Sequence, residues 1–166
     1  TPEQWRATFD VNVTGAVALT LALLPALRAA RGQVVFVNSG AGVNVSPGLA
    51  AYSASKFALR AFADSLRADE PLLRVTSIHP GRVDTEMQRD LVASEGGEYD
   101  PSRYLSLQTV AQVTADAINA PPDAHVHEVI VRAELQGTSA VNIVPKYNAD
   151  FPDVLTVEDE SCGTPE

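Results

Sequence analysis

Tyr52 and Lys56 stand four residues apart in AYSASKFAL, a spacing that stacks two side chains on one face of a helix. An ammonium a few ångströms from a phenol favours the phenolate and lowers the phenol pKa from its reference of about 10. A tyrosine so tuned can act as general acid or base near neutral pH. With four tyrosines and two lysines in 166 residues, this spacing arises by chance about one time in twenty, so the pair alone is only suggestive. The surroundings sharpen it. Ser39 closes the β-branched run QVVFVNS thirteen residues before Tyr52, at the strand end where parallel α/β sheets place their ligands. A hydroxyl there can donate to a carbonyl or alkoxide oxygen. A second short strand ends in His79-Pro80-Gly81-Arg82-Val83-Asp84-Thr85, whose Pro-Gly turn bares backbone amides able to pair with a flat polar ligand.

The elements that must hold these residues follow from periodicity. Thr1-Pro2-Glu3-Gln4 reads as a capping box, and Trp5, Phe9, Val13 and Val17 recur every fourth residue, so a helix is expected from about 2 to 30, stopped at Gly32 and kinked at Pro25. Gln33–Ser39 reads as a buried strand, 40–50 as a Gly/Ser/Pro/Asn loop, and 51–69 as a helix ended by Pro71. Arg74–Ile78 is the second strand. Residues 82–105 read as irregular, with a short helix near Glu86–Ala93, and Met87, Leu91, Tyr99 and Tyr104 are candidates to line a substrate pocket there. Gln108–Asn119 is a third helix and Val126–Val131 a third strand. The fold class is therefore α/β: a partial Rossmann-type, doubly wound parallel sheet of three strands and three main helices over 1–132. Trp5, Phe9, Phe57 and Phe62 are expected in its core.

Composition bounds the function. Hydrophobic residues make up 45% and charged ones 20%, which suits one globular domain. The net charge of -9 argues against a nucleic-acid partner, since phosphates need a basic face. Residues 133–166 carry seven acids against Lys146, so they read as an acidic, disordered tail. Cys162 stands alone, so no internal disulfide forms and the chain is expected in the cytoplasm. The most apolar run, Gly15–Leu27, has 13 residues against roughly 20 for a bilayer helix, so no membrane span is expected. His79, His125 and His127 lack ligand spacing, and no metal site is expected. The chain starts with Thr1, not methionine, so missing upstream sequence is expected.

At Asn12 in FDVNVTG, Ser39 in VVFVNSGAG, Tyr52 and Lys56 in AYSASKFAL, and Pro80, Gly81, Val83 and Thr85 in HPGRVDTEM, the sequence resembles the compact type of short-chain dehydrogenase/reductase, in residue type and in spacing, over roughly 1–132. The resemblance implies a catalytic set of Asn12, Ser39, Tyr52 and Lys56. Tyr52 would pass a proton to or from the substrate oxygen while hydride moves at the nicotinamide. Lys56 would lower the tyrosine pKa and bind the nicotinamide ribose, Ser39 would hold the substrate oxygen, and Asn12 would position a relay water. Pro80, Gly81, Val83 and Thr85, with Tyr52 and Lys56, would hold NAD or NADP, between which the sequence does not choose. The implied partners are a small carbonyl or alcohol substrate and a second copy of the chain, as homodimer or homotetramer. The family's T-G-x-x-x-G-x-G turn does not occur in the 166 residues, so the chain alone is expected to be inactive and poorly stable. A non-catalytic binding or assembly module and an epimerase or dehydratase relative stay open as alternatives.

Overall fold

The structure is a computed structural model that describes residues 1–45 and 47–134. Cys162 and all but the first two residues of the expected tail lie outside the described residues.

The first helix opens on the expected capping box: Gln4 N–H donates to Thr1 Oγ1 (3.4 Å) and the Thr1 nitrogen donates to Gln4 Oε1 (2.7 Å). The long helix is not uniform. It comprises α1 (Pro2–Phe9), a π-helical turn (Asp10–Thr14) in which Gly15 N–H reaches back five residues to Asp10 O, and α2 (Gly15–Ala30). Four-residue periodicity does not register a single widened turn, which is why the sequence shows one helix. α2 continues through Pro25 to Ala30. It ends in a Schellman arrangement with Gly32 N–H on Leu27 O (2.9 Å) and Arg31 in the left-handed region (φ 47°). At 29 residues, Pro2–Ala30 is long and apolar enough to cross a membrane by length and composition, because the helix extends well beyond its 13-residue apolar run. In this fold Ala16, Leu24 and Leu27 of that helix pack on the core.

Three parallel strands form the sheet in the order β1 (Gln33–Val37), β2 (Arg74–Pro80), β3 (Glu128–Val131). Gln33 pairs with Arg74 and Ser77 with Glu128. The central β2 is buried from Val75 to Pro80, its polar Thr76, Ser77 and His79 included. β1 stops two residues short of Ser39, although Asn38 N–H still donates to Ile78 O (2.8 Å). β3 starts at Glu128, not Val126, because the chain before it bonds β2 irregularly: Val75 N–H donates to the His125 ring (2.8 Å), and Thr76 Oγ1 to Val126 O (2.6 Å).

α3 (Ala50–Asp69) joins β1 to β2 and supplies Leu59, Ala63 and Leu66 to a core with Phe36, Leu73 and Val75. Phe62 meets Phe36 edge-on at 5.7 Å, as expected of a core residue. Trp5 and Phe57 do not join it. They are 43% and 38% exposed, because their helix faces point away from the sheet, and Trp5 stacks on Phe9. The segment 82–105 is more ordered than its sequence indicates. It contains α4 (Glu86–Ser94), a 3-10 turn (Pro101–Arg103) and a parallel bridge from Val83 to Leu105. α5 (Leu107–Ile118) follows and returns the chain to β3.

Candidate active site

The carboxyl ends of β1 and β2 and the first turns of α3 hold most of the chemistry. Beyond β1 the chain enters a 3-10 turn, Gly40–Gly42, capped by Ser39, whose Oγ accepts from Ala41 N–H (3.1 Å). This turn packs directly on α3. The fit is tight: a Cβ on Gly42 would lie 2.9 Å from both Asn38 Oδ1 and Lys56 O. Only glycine allows that approach of loop to helix.

On α3, Lys56 is buried at 9% exposure and its Nζ lies 5.7 Å from the centroid of the Tyr52 ring. Burial pulls the Lys56 ammonium below its ordinary pKa, because desolvation disfavours the charged form. Two polar residues brace this stretch of helix. The buried Asn38 donates from Nδ2 to Lys56 O (3.1 Å), and Ser55, fully buried, donates to Tyr52 O (2.7 Å). Ser55 Oγ in turn accepts from Asn12 Nδ2 (3.0 Å). The π turn thus delivers Asn12 to the back of the Tyr52 turn.

The second cluster follows β2. His79, fully buried, points Nδ1 at Ser39 O (3.1 Å), which ties the two strand ends together. Pro80 O and the Arg132 guanidinium both border Gly40, where an added Cβ would lie 3.4 Å from the former and 2.7 Å from the latter. Val83 is held through its neighbours: Leu105 N–H donates to Arg82 O (3.0 Å) and Asp84 N–H to Leu105 O (2.8 Å). In such a bridge the middle residue turns its own N–H and C=O away from the partner strand. Thr85 Oγ1 donates to Val83 O (3.3 Å) and accepts from Gln88 N–H (3.2 Å), capping α4. Asp84 between them accepts from Tyr99 OH (2.6 Å) and Arg89 (2.7 Å), and Tyr99 stacks on Tyr104 at 5.0 Å. The Tyr99 hydroxyl, then Arg89, hold the Asp84 carboxyl below the usual carboxylate range.

Asn12, Tyr52 and Lys56 are therefore joined by hydrogen bonds and packing, and Ser39 is joined to them through its turn. Pro80 and Gly81 adjoin Ser39 through His79 and Gly40. Val83 and Thr85 are fixed farther along, by the 82–105 segment. Sequence reading missed Asn38 and Ser55. Their signals are weak: a polar residue closing an apolar run, and a serine one turn after a candidate tyrosine.

The residues present fit the nicotinamide end of NAD or NADP: a buried cation beside a phenol, and the Val83 backbone turned from its bridge. The described residues offer no Gly-rich turn for a pyrophosphate.

Residues 1–96 match the family model described as short chain dehydrogenase. The chain is 43% identical over 128 residues to benzil reductase ((S)-benzoin forming) of Saccharomyces cerevisiae, covering 75% of this chain and 49% of that protein. A 3-oxoacyl-[acyl-carrier protein] reductase with bound NAD from Brucella melitensis superposes with a TM-score of 0.66 at 30% identity, over 81% of this chain and 53% of that one. A short chain dehydrogenase from Burkholderia cenocepacia in complex with NADP gives 0.62 at 30% identity, over 78% and 52%. The chain spans about half the length of each.

Proposed function

The chain belongs to the short chain dehydrogenase family, and on that premise we propose that it carries the catalytic half of an NAD(P)-dependent oxidoreductase interconverting an alcohol and a ketone or aldehyde. The observation that carries this reading is the Tyr52–Lys56 pair, with a buried cation 5.7 Å from a phenol ring on a helix turn braced from both sides.

The bound nicotinamide supplies or accepts the hydride. The chain's own residues handle the proton and the geometry. In the reducing direction Tyr52 Oη gives its proton to the substrate oxygen, and in the oxidising direction it takes that proton back. Lys56 stabilises the phenolate left on Tyr52 and would hold the nicotinamide ribose. Ser39 Oγ accepts from Ala41 N–H, which leaves its hydrogen for the substrate oxygen. Asn12 commits Nδ2 to Ser55, so its Oδ1 is what it would offer a proton-carrying water. The backbone of Val83 and Thr85 would hold the nicotinamide carboxamide, with Pro80 and Gly81 also at the cofactor.

The substrate class is a small ketone, and benzil is the first probe by similarity to the yeast relative. Residues 1–166 alone bind nucleotide poorly and do not turn over, because they contain no pyrophosphate turn. Whole, the protein works in the cytoplasm as a homodimer or homotetramer, with neither membrane nor nucleic acid as partner. Leu19 and Leu23, one turn apart on α2, are exposed apolar residues that association would cover. The test is a turnover assay of the full-length protein with benzil and NADPH or NADH, alongside light scattering. Oxidation of either nucleotide by an oligomer is expected. A monomer that oxidises neither nucleotide with any carbonyl tried would sink the reading.

A further inference from the structure

His79 lies in the middle of the sheet with no accessible surface, and its ring spans two strands. Nδ1 is 3.1 Å from Ser39 O on the β1 side, and Nε2 is 3.5 Å from Glu128 Oε1 on β3. A carbonyl oxygen only accepts, so the hydrogen must sit on Nδ1. Ser39 O also accepts from Gly42 N–H (2.9 Å), so both of its lone pairs are engaged and the Ser39–Gly40 peptide plane is fixed. Glu128 in turn is gripped by Arg60 through two bonds, Nε to Oε1 (2.6 Å) and Nη2 to Oε2 (2.9 Å). Such two-pronged pairing fixes orientation as well as distance. Arg60 stands four residues after Lys56 and eight after Tyr52, on the same helix.

With that hydrogen on Nδ1, Nε2 is bare and makes no hydrogen bond to the carboxylate. The bond to Ser39 O is therefore the one His79 supplies, while the Arg60–Glu128 pair separately ties α3 to β3. We propose that His79 is a positioning residue for Ser39, its Nδ1–H holding the Ser39 peptide and so fixing the serine hydroxyl relative to the tyrosine and lysine. The proposal rests on the oxidoreductase reading above. A hydrophobic residue of similar size would fill the core equally well but would leave the Ser39 peptide anchored by its own turn alone.

The test uses the full-length protein with benzil and reduced nicotinamide. His79→Leu is expected to lower kcat roughly ten- to a hundredfold, since misplacements of about an ångström cost that much, with nucleotide affinity and thermal unfolding little changed. His79→Asn, whose amide can donate to Ser39 O in place of Nδ1, is expected to recover most of the rate. Rescue by a donor, and not by bulk, separates positioning from packing. Tyr52→Phe runs beside them. If it stays active, the oxidoreductase reading fails. If it is dead while His79→Leu turns over like wild type, or loses rate only as its folded fraction falls, the positioning role alone is overturned. Long-range nitrogen–proton NMR of histidine-labelled protein needs neither substrate nor variant. A hydrogen on Nδ1 of His79 is expected, and a bare Nδ1 would overturn the proposal.

Discussion

The Lys56 ammonium lies 5.7 Å from the centre of the Tyr52 ring, while the carbonyl of the same lysine accepts from the buried Asn38. One residue is thus held by its backbone to present its side chain. That side chain is charged and desolvated, a costly combination kept only where something uses it.

Lys56→Met should therefore stabilise the protein while disabling it. Lys56 has a folded-state pKa below its ordinary 10.5. The unfolded chain binds the proton more tightly, so the penalty is full below the folded pKa and fades as pH rises toward 10.5. Lys56→Met should raise Tm at neutral pH, with the gain shrinking in alkali, and lower kcat by about a hundredfold or more. Unfolding scans across pH check the first part. A Tm that falls at neutral pH would mean that the ammonium is compensated by partners.

Two neighbouring glycines should respond differently to alanine. At Gly42 the new methyl would sit 2.9 Å from Lys56 O and 3.1 Å from Lys56 C, backbone atoms that cannot swing aside. At Gly40 it meets mainly the far end of the flexible Arg132 side chain, at 2.7 Å. Urea unfolding should show Gly42→Ala costing about 1–3 kcal/mol and Gly40→Ala clearly less. Equal costs would contradict the close packing of turn on helix.

Much of this arrangement was legible from sequence. Strand and helix positions followed from β-branched runs and four-residue periodicity, and Tyr52, Lys56 and Ser39 stood out by type and spacing. The π turn at Asp10–Thr14 was not, because one widened turn leaves the apolar period intact. His79 read as a residue without ligand spacing, since its partner Ser39 is 40 positions away and meets it only through strand register. Trp5 and Phe57 were expected in the core, because periodicity gives a helix face but not which side the sheet takes.

The 82–105 segment is pinned at one carboxylate, and Tyr99→Phe should release it. Asp84 takes hydrogen bonds from Tyr99 (2.6 Å) and Arg89 (2.7 Å). Hydrogen exchange should quicken from about 86 to 105 while β2 and α3 stay protected. The Asp84 pKa is depressed on folding from its ordinary 3.8, so this tie is complete above that value and is lost as pH falls through the lower folded one. Wild-type exchange in the segment should accelerate in that acid range. Unchanged protection in Tyr99→Phe would place the anchor elsewhere, with the Val83–Leu105 bridge next in line.

The central claim is that the proton moves through Tyr52, and one variant tests it most directly. In the full-length protein, kcat for benzil reduction by Tyr52→Phe should fall about 100- to 10,000-fold, the usual worth of a positioned acid or base. The nucleotide Kd, measured by fluorescence titration, should stay at the wild-type value, because the phenyl ring keeps its place above the Lys56 side chain. A Tyr52→Phe enzyme within about threefold of wild-type kcat would contradict the account, since loss of a true general acid cannot be that mild.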